Sequence, residues 1–352
     1  MKVRISTRTP FNRAKNILIR GTNWIGDAVM TLPAVHAIRN TFPVARISVL
    51  AKPWVAEIFN LCPDVDEVIV FKIPGPHSGI DGKLKLAKEL KARRFDTAIL
   101  LQNAIEAAII TWLAAIPVRA GYNSDARGLL LTHSVQRTED IRKVHQIQYY
   151  LEMVKALGCQ SAGENVYLQP GNEYESLSEK ILGEYGIRRE GIIIGLAPGA
   201  TYGPAKRWLP ERFAAVGDRL IEDLFAQVVL FGSREDRQTT DLVEQHAHHP
   251  LINLAGKTNL KEAIASISKC SLFISNDSGL MHIAGALNIP TVAIFGSTNP
   301  VTTSPVGDRS VVIYKGVSCS PCLKQTCPTD FRCMDVISVE EVCETAKGIL
   351  TQ

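Results

Sequence analysis

The sequence predicts an α/β protein built from two Rossmann-like domains facing across a cleft, and three observations carry that prediction. Short apolar runs alternate with helix-length segments along most of the chain, the pattern of parallel sheets wrapped by helices. At 352 residues the chain is too long for one typical domain and long enough for two, each with its own core. Two loops in the second half follow apolar runs: Pro198-Gly199-Ala200-Thr201-Tyr202-Gly203-Pro204-Ala205-Lys206-Arg207-Trp208 and Ser275-Asn276-Asp277-Ser278-Gly279. Open parallel sheets bind ligands at the carboxyl ends of their strands, so two such loops point to a nucleotide held between them.

In order along the first half, the pattern predicts strands over residues 16–20, 46–51, 67–71, 97–101 and 118–121. Each is short and bounded by turn residues. Helices are expected over 28–40, 83–93, 104–114 and 145–157. Pro33 must sit in an early turn of its helix or kink it, because proline lacks the N–H that a helix interior needs. The polar stretch Gln169-Pro170-Gly171-Asn172 marks the boundary, giving domains 1–170 and 171–352.

The second half repeats the alternation. Strands are expected over 192–197, 227–231, 252–254, 272–275, 291–295 and 311–314. Helices are expected over 211–222, 237–246, 261–268, 280–287 and 339–350. Periodicity does not decide how the two domains pack.

Charge separates the halves more sharply than composition does. Residues 1–170 hold 22 Lys and Arg against 14 Asp and Glu, net +8, while 171–352 hold 17 against 21, net −4, which together give the overall +4. The first half therefore favours an anionic partner. Lys52, Arg119, Arg127 and Lys143 lie in turns or near sheet ends and are candidates to hold it, the other reading being solvated surface cations. The arm 1–15 carries Lys2, Arg4, Arg8, Arg13 and Lys15 without an acid, and lacks the apolar core of a signal peptide. It reads as a solvated extension or as a contact for anionic lipid headgroups. No run of about 18 apolar residues exists, so no transmembrane helix is expected and a cytoplasmic location follows.

The first turn, Gly21-Thr22-Asn23-Trp24-Ile25-Gly26-Asp27, lacks G-x-G-x-x-G, which demotes a dehydrogenase. Asp27 falls near a helix start on the ligand-bearing edge, where a carboxylate can take a proton from a hydroxyl or can cap the helix. Lys206 and Arg207 face a diphosphate or form a solvated basic pair. Asp277 and Ser278 cap the next helix, a use compatible with anion binding at the same N-terminus. His282 reads as a packed histidine.

Eight cysteines in a chain of this size do not make a disulfide scaffold. Cys319, Cys322, Cys327 and Cys333, spaced C-x2-C-x4-C-x5-C, suit a tetrahedral structural zinc, less well an iron–sulfur cluster, or remain free thiols.

The runs Ile17 to Ala34, Pro198 to Trp208 and Asn276 to His282, in that order, resemble the ADP-heptose:lipopolysaccharide heptosyltransferases, glycosyltransferase family nine. The similarity extends from about Asn16 to Gly307. It implies a GT-B fold, inverting transfer of heptose from ADP-heptose to the inner core of lipopolysaccharide, and no cofactor or metal at the reaction centre. By the same resemblance Asp27 is the general base and Lys206 contacts the donor phosphates. Thr201, Tyr202, Asp277, Ser278 and Gly279 belong to the donor site, and Asp236 matches a contact to the adenosine ribose. The partners implied are ADP-heptose and an anionic lipopolysaccharide acceptor, with peripheral contact to the cytoplasmic face of the inner membrane and no nucleic acid. A family member with another acceptor position, or a non-catalytic nucleotide-sugar-binding protein, are the alternatives.

Overall fold

The computed structural model describes residues 1–7, 11–161 and 163–351. Arg8 of the basic arm lies outside the described residues. The chain divides into two compact units, Met1–Val166 and Tyr167–Gln352. The expected boundary at Gln169 to Asn172 is the turn into the first helix of the second unit, with Gly171 in its N-cap position.

The first unit is built on a seven-stranded sheet. Its strands are β1 (Val3–Ile5), β2 (Asn16–Arg20), β3 (Arg46–Ala51), β4 (Glu67–Val70), β5 (Thr97–Leu100), β6 (Val118–Tyr122) and β7 (His133–Val135), in the order β1-β7-β6-β5-β2-β3-β4. All neighbours run parallel except β1, which lies antiparallel to β7 with Val3 opposite Val135. The helices are α1 (Ile25–Met30), α2 (Leu32–Thr41), α3 (Ala56–Asn60), α4 (Gly79–Ala92), α5 (Ile105–Leu113) and α6 (Gln146–Ala156). Ile17, Leu18 and Ile19 in the central strand are fully buried, as expected where both faces of a parallel sheet are covered. Leu18, Leu50, Ala98 and Leu100 share one cluster with Leu86 and Leu90 of α4 and Ala107, Ala108 and Ile110 of α5, so both helices pack on the same sheet face.

The helix expected over 28–40 is two helices. It breaks at Thr31, whose hydroxyl donates to the Ala28 carbonyl at 2.6 Å. Pro33 then falls in the first turn of α2, where its missing N–H costs nothing. Strands β1 and β7 were not expected from the pattern, because three residues are too few to show a period.

The second unit carries a six-stranded, all-parallel sheet, in the order β10-β9-β8-β11-β12-β13. Its elements are α7 (Asn172–Glu184), β8 (Ile193–Ala197), α8 (Pro210–Leu224), β9 (Gln227–Leu230), α9 (Arg237–His246), β10 (Ile252–Asn253) and α10 (Leu260–Ile267), then β11 (Leu272–Asn276), α11 (Gly279–Ala286), β12 (Thr291–Phe295), α12 (Pro300–Thr303), β13 (Ser310–Tyr314), α13 (Arg332–Asp335) and α14 (Val339–Leu350). Helix α7 escaped the pattern because its buried positions include polar Ser178 beside Tyr174, Ile181 and Leu182. Trp208, fully buried, joins the core formed by Phe213, Ile337, Val342 and Ala346.

Each sheet has a central strand where the order reverses. In the first unit β2 lies between β3 and β5, and in the second β8 lies between β9 and β11. The loops leaving such a switch point splay to opposite faces and open a crevice at the carboxyl edge. The turn ending at Asp27 leaves β2, and the loop bearing Lys206 leaves β8.

Candidate functional site

In the first unit, Gly21 follows β2 because a Cβ there would press within 2.8 Å of the Phe59 ring. The chain then turns into α1, whose N-cap position is held by Trp24, with no side-chain cap. Asp27 stands in the first turn, half-buried, so the N-cap use weighed for it falls to another residue. Burial first, and then the Asp27 charge, push the Tyr150 hydroxyl of α6 well above its ordinary range.

Lys52 directly follows β3 and is 6% exposed, with its ammonium 3.6 Å from the centre of the Phe71 ring. Burial, reinforced by the nearby Arg20 charge, holds it below the ordinary lysine range. Arg20, fully buried at the end of β2, is pushed down to about 10 by burial. Its Nη2 donates to Asn23 Oδ1 at 2.8 Å. Two buried cations thus share one aromatic ring at the carboxyl edge, an arrangement that favours an incoming anion. Sequence reasoning missed Arg20. The available signal was a lone cation closing an apolar strand.

The other basic candidates are placed differently. Arg119 sits near the amino end of β6, away from the ligand edge, and its Nε donates to the Leu130 carbonyl at 2.8 Å. Arg127 is fully buried, donating to the carbonyls of Tyr122 (2.7 Å) and Gln102 and to Asn103 Oδ1 (3.1 Å). Both arginines fasten main chain, and Arg127, fully buried, is not a solvated surface cation. Lys143 is exposed.

In the second unit, the loop after β8 and the loop after β11 are tied by Asn276. Its Nδ2 donates to the Pro198 carbonyl at 2.7 Å and its Oδ1 accepts from the Trp208 N–H at 3.0 Å. Lys206 Nζ then meets Asp277 Oδ2 at 2.6 Å, and the Thr298 hydroxyl donates to the same oxygen at 2.7 Å. The pair is largely sheltered, with side chains 14% and 5% exposed. The Tyr202 ring lies 5.0 Å from the Lys206 ammonium, and Thr201 beside it is exposed. Asn276 and Thr298 were not singled out from the sequence, because their partners lie on neighbouring strands.

Ser278 is the N-cap residue of α11 but makes no side-chain cap bond. Its hydroxyl lies 3.0 Å from Ser275 Oγ instead. The first amides of the helix, beginning at Gly279, therefore have no side-chain cap from Ser278, and the positive end of the helix is available to an anion. Arg207, read together with Lys206, turns inward to the Ala200 carbonyl (3.3 Å) and Thr239 Oγ1 (3.2 Å). Asp236 accepts from the Ser233 N–H (3.0 Å) and hydroxyl (2.8 Å) through Oδ2, while its Oδ1 is buried without a hydrogen-bond partner. A Cβ at Gly199 would collide with that carboxylate, so glycine is required where the two loops touch. His282 is buried, as expected of a packed residue.

Among the described residues no three His, Cys, Asp or Glu side chains converge as a metal-holding group. Cys319 is exposed, Cys322 and Cys327 are half-buried, and Cys333 is buried. Burial pushes the Cys333 thiol up, and the charges of Cys319, Cys327 and Cys322 add to the effect. The segment leans on the loop after β8. The Tyr202 hydroxyl donates to the Leu323 carbonyl at 2.8 Å and the Ala205 N–H to the Gln325 carbonyl at 3.0 Å.

Comparisons with known proteins bear on the family and the fold. Residues 83–331 match the model of glycosyltransferase family 9 (heptosyltransferase), a span that includes Lys206 and Asp277. The chain is 32% identical to lipooligosaccharide heptosyltransferase 2 of Haemophilus influenzae over 85% of its length and 88% of that protein. It is similar to the structure of the Escherichia coli ADP-heptose lipopolysaccharide heptosyltransferase II, with a TM-score of 0.80 at 29% identity, covering 96% of this chain and 99% of that one. A family 9 glycosyltransferase from Veillonella parvula shares the fold at a TM-score of 0.86 and 24% identity, over 98% and 99% of the two chains. The two Rossmann-like units, the GT-B type of architecture, and these matches lead to one conclusion: the chain belongs to glycosyltransferase family 9, the heptosyltransferases.

Proposed function

We propose that the chain acts as heptosyltransferase II, moving L-glycero-D-manno-heptose from ADP-heptose to the heptosyl-Kdo-lipid A inner core of lipopolysaccharide with inversion. The observation that carries this reading is the Lys206–Asp277 pair beside the uncapped start of α11, a cation and a helix dipole at the second sheet's switch point. Asp27 takes the proton of the acceptor hydroxyl, whose oxygen attacks the anomeric carbon from the face opposite the diphosphate. As the bond to the diphosphate breaks, Lys206, the Thr201 hydroxyl and the α11 amides stabilise the charge left on ADP. Asp277 contacts the donor sugar, with Ser278 and Gly279 beside it. Tyr202 and Asp236 complete the donor site, and Lys52 and Lys143 serve the anionic acceptor.

The proposed setting is the cytoplasmic face of the inner membrane, contacted peripherally, with no nucleic-acid partner. No helix among the described residues is long and apolar enough to cross a membrane, which is compatible with that setting. At the Cys-rich segment the proposal is one structural zinc held by Cys319, Cys322, Cys327 and Cys333. The spacing of the four cysteines and their joint influence on the Cys333 thiol support it, although no three of these side chains converge among the described residues. Stoichiometric zinc in protein purified under reducing conditions is the expected result, and its absence would leave four thiols.

The deciding experiment is ADP release from ADP-heptose with defined acceptors. Turnover with a mono-heptosylated Kdo-lipid A core, and little with the core lacking heptose, is expected. The reverse preference would move the chain to a paralogous activity, and no turnover with either would return it to nucleotide-sugar binding alone.

A further inference from the structure

Two neighbouring helices of the first unit turn an apolar face to solvent. α4 and α5 follow β4 and β5 and bury their inner sides in one cluster on one sheet face. The Lys83 ammonium holds Glu106 Oε1 at 2.8 Å, which sets their first turns side by side. On the outer side stand Ile80 and Leu84 of α4 and Ile105, Ile109 and Trp112 of α5, at helical spacings of three and four. Ile80 is 78% exposed and Trp112 53%. Along α4 the same stripe continues into exposed Lys88 and Lys91, with exposed Lys85 alongside.

An apolar patch with an indole and a basic continuation is the surface chemistry of a lipid interface. Tryptophan settles at the headgroup level, aliphatic side chains enter the acyl boundary, and lysines meet anionic phosphates. A second copy of the chain suits the face poorly. A two-fold contact through this face would bring the α4 lysines of both copies into one interface. Because α4 and α5 begin at the carboxyl ends of their strands, Ile80 and Ile105 lie toward the sheet edge that carries Asp27.

We propose that the outer face of α4 and α5 seats the protein on an anionic lipid bilayer. The inference deepens the proposed function, whose acceptor is lipid-borne, and it names the surface that contacts the membrane. The test is sedimentation of the full chain with phosphatidylcholine vesicles with and without phosphatidylglycerol. Binding to the anionic vesicles that weakens with salt is expected. It should fall at least ~10-fold in Ile109→Ser/Trp112→Ser and in Lys88→Glu/Lys91→Glu. Both variants should keep transfer to a deacylated, water-soluble acceptor, which shows that they fold. Unchanged vesicle binding in both variants, or no binding of the wild type, overturns the assignment. A dimer seen by light scattering that Ile109→Ser/Trp112→Ser abolishes gives the face to a second copy and overturns it equally. Failure of the wild type to transfer heptose to any acceptor would defeat the functional reading and leave the vesicle result intact.

Discussion

The Lys206 ammonium and the Asp277 carboxylate, 71 residues apart in sequence, meet at 2.6 Å. The bond joins the two loops that flank β8 and β11, and Thr298 donates to the same carboxylate oxygen. The cation is thus already in place at the proposed donor site, and little reorganisation is needed when negative charge develops there.

Lys206→Ala should lower turnover by ~100-fold or more, the scale of one oriented donor lost from a transition state. It should also cost about 3 kcal/mol of stability, because Asp277 is left sheltered with one partner fewer. The double variant Lys206→Ala/Asp277→Ala should regain most of the stability and none of the turnover. Chemical denaturation with single-turnover kinetics measures both. A rise in KM alone, with kcat kept, would reduce Lys206 to uniform binding.

Asp27→Asn should lose at least ~100-fold in turnover, the low end for a general base. Stability should change by less than about 1 kcal/mol, the scale of a first-turn carboxylate on the helix dipole, since Trp24 and not Asp27 holds the N-cap position. ADP affinity should be unchanged. Near-normal turnover would leave Asp27 as a helix-start carboxylate only.

Lys52→Met and Arg127→Met should separate binding from folding. Lys52 is held below its ordinary range by burial and Arg20, so an apolar replacement over Phe71 removes a repulsion and should leave the melting temperature level or raised. Acceptor KM should rise and lose part of its salt dependence. Arg127→Met orphans buried carbonyl oxygens and should cost on the order of 3 kcal/mol. Equal loss of stability in the two variants would contradict this division.

Gly203→Ala should weaken donor binding from a distance. A Cβ at that position would collide with the Gln325 carbonyl, so the donor-side loop and the Cys-rich segment must part. A shift of about 1 Å at a positioning loop can cost ~100-fold in rate. A fall of ~10-fold or more in kcat/KM is expected here. Unaltered kinetics would show that the contact with residues 323–325 is incidental.

Cys327 should be the reactive thiol of its segment. The Thr329 and Phe331 N–H groups stabilise its thiolate and lower its pKa, whereas burial pushes Cys62 and Cys159 up to about 12. Its alkylation rate should therefore rise with pH through a midpoint below the ordinary thiol range, and added zinc should suppress it. Mass spectrometry after brief iodoacetamide treatment reads both effects. Equal labelling with and without zinc would argue against a metal at this segment.

The candidate residues were legible because they sit in the segments that follow apolar runs. Asp27, Lys206 and Asp277 each lie on the segment that leaves a strand end, and each parallel sheet sends such ends to one of its own edges. What stayed hidden depends on strand order. Thr298 reaches Asp277 because β12 lies beside β11, and Asn276 reaches Pro198 because β11 lies beside β8. No spacing in the chain announces either. The main-chain contacts of Arg119 and Arg127 were hidden for another reason. A cation's charge is visible in sequence, but the carbonyls that it will satisfy are not. The three-residue strands β1 and β7 gave too short a pattern to detect.

The pairing of β1 with β7 sets an order of events during synthesis. Val3 leaves the ribosome well before its partner Val135, which follows only after β2 to β6 have been made. Strands β2 to β6 can assemble by parallel pairing while β1 waits unpaired, so β1 cannot pair until β7 has been made, and it then closes the β7 edge. A contact of such long sequence separation carries a high loop-closure cost and contributes little to nucleation. A nascent chain released short of residue 133 would carry β6 as an open edge, the kind of surface that invites pairing with other chains.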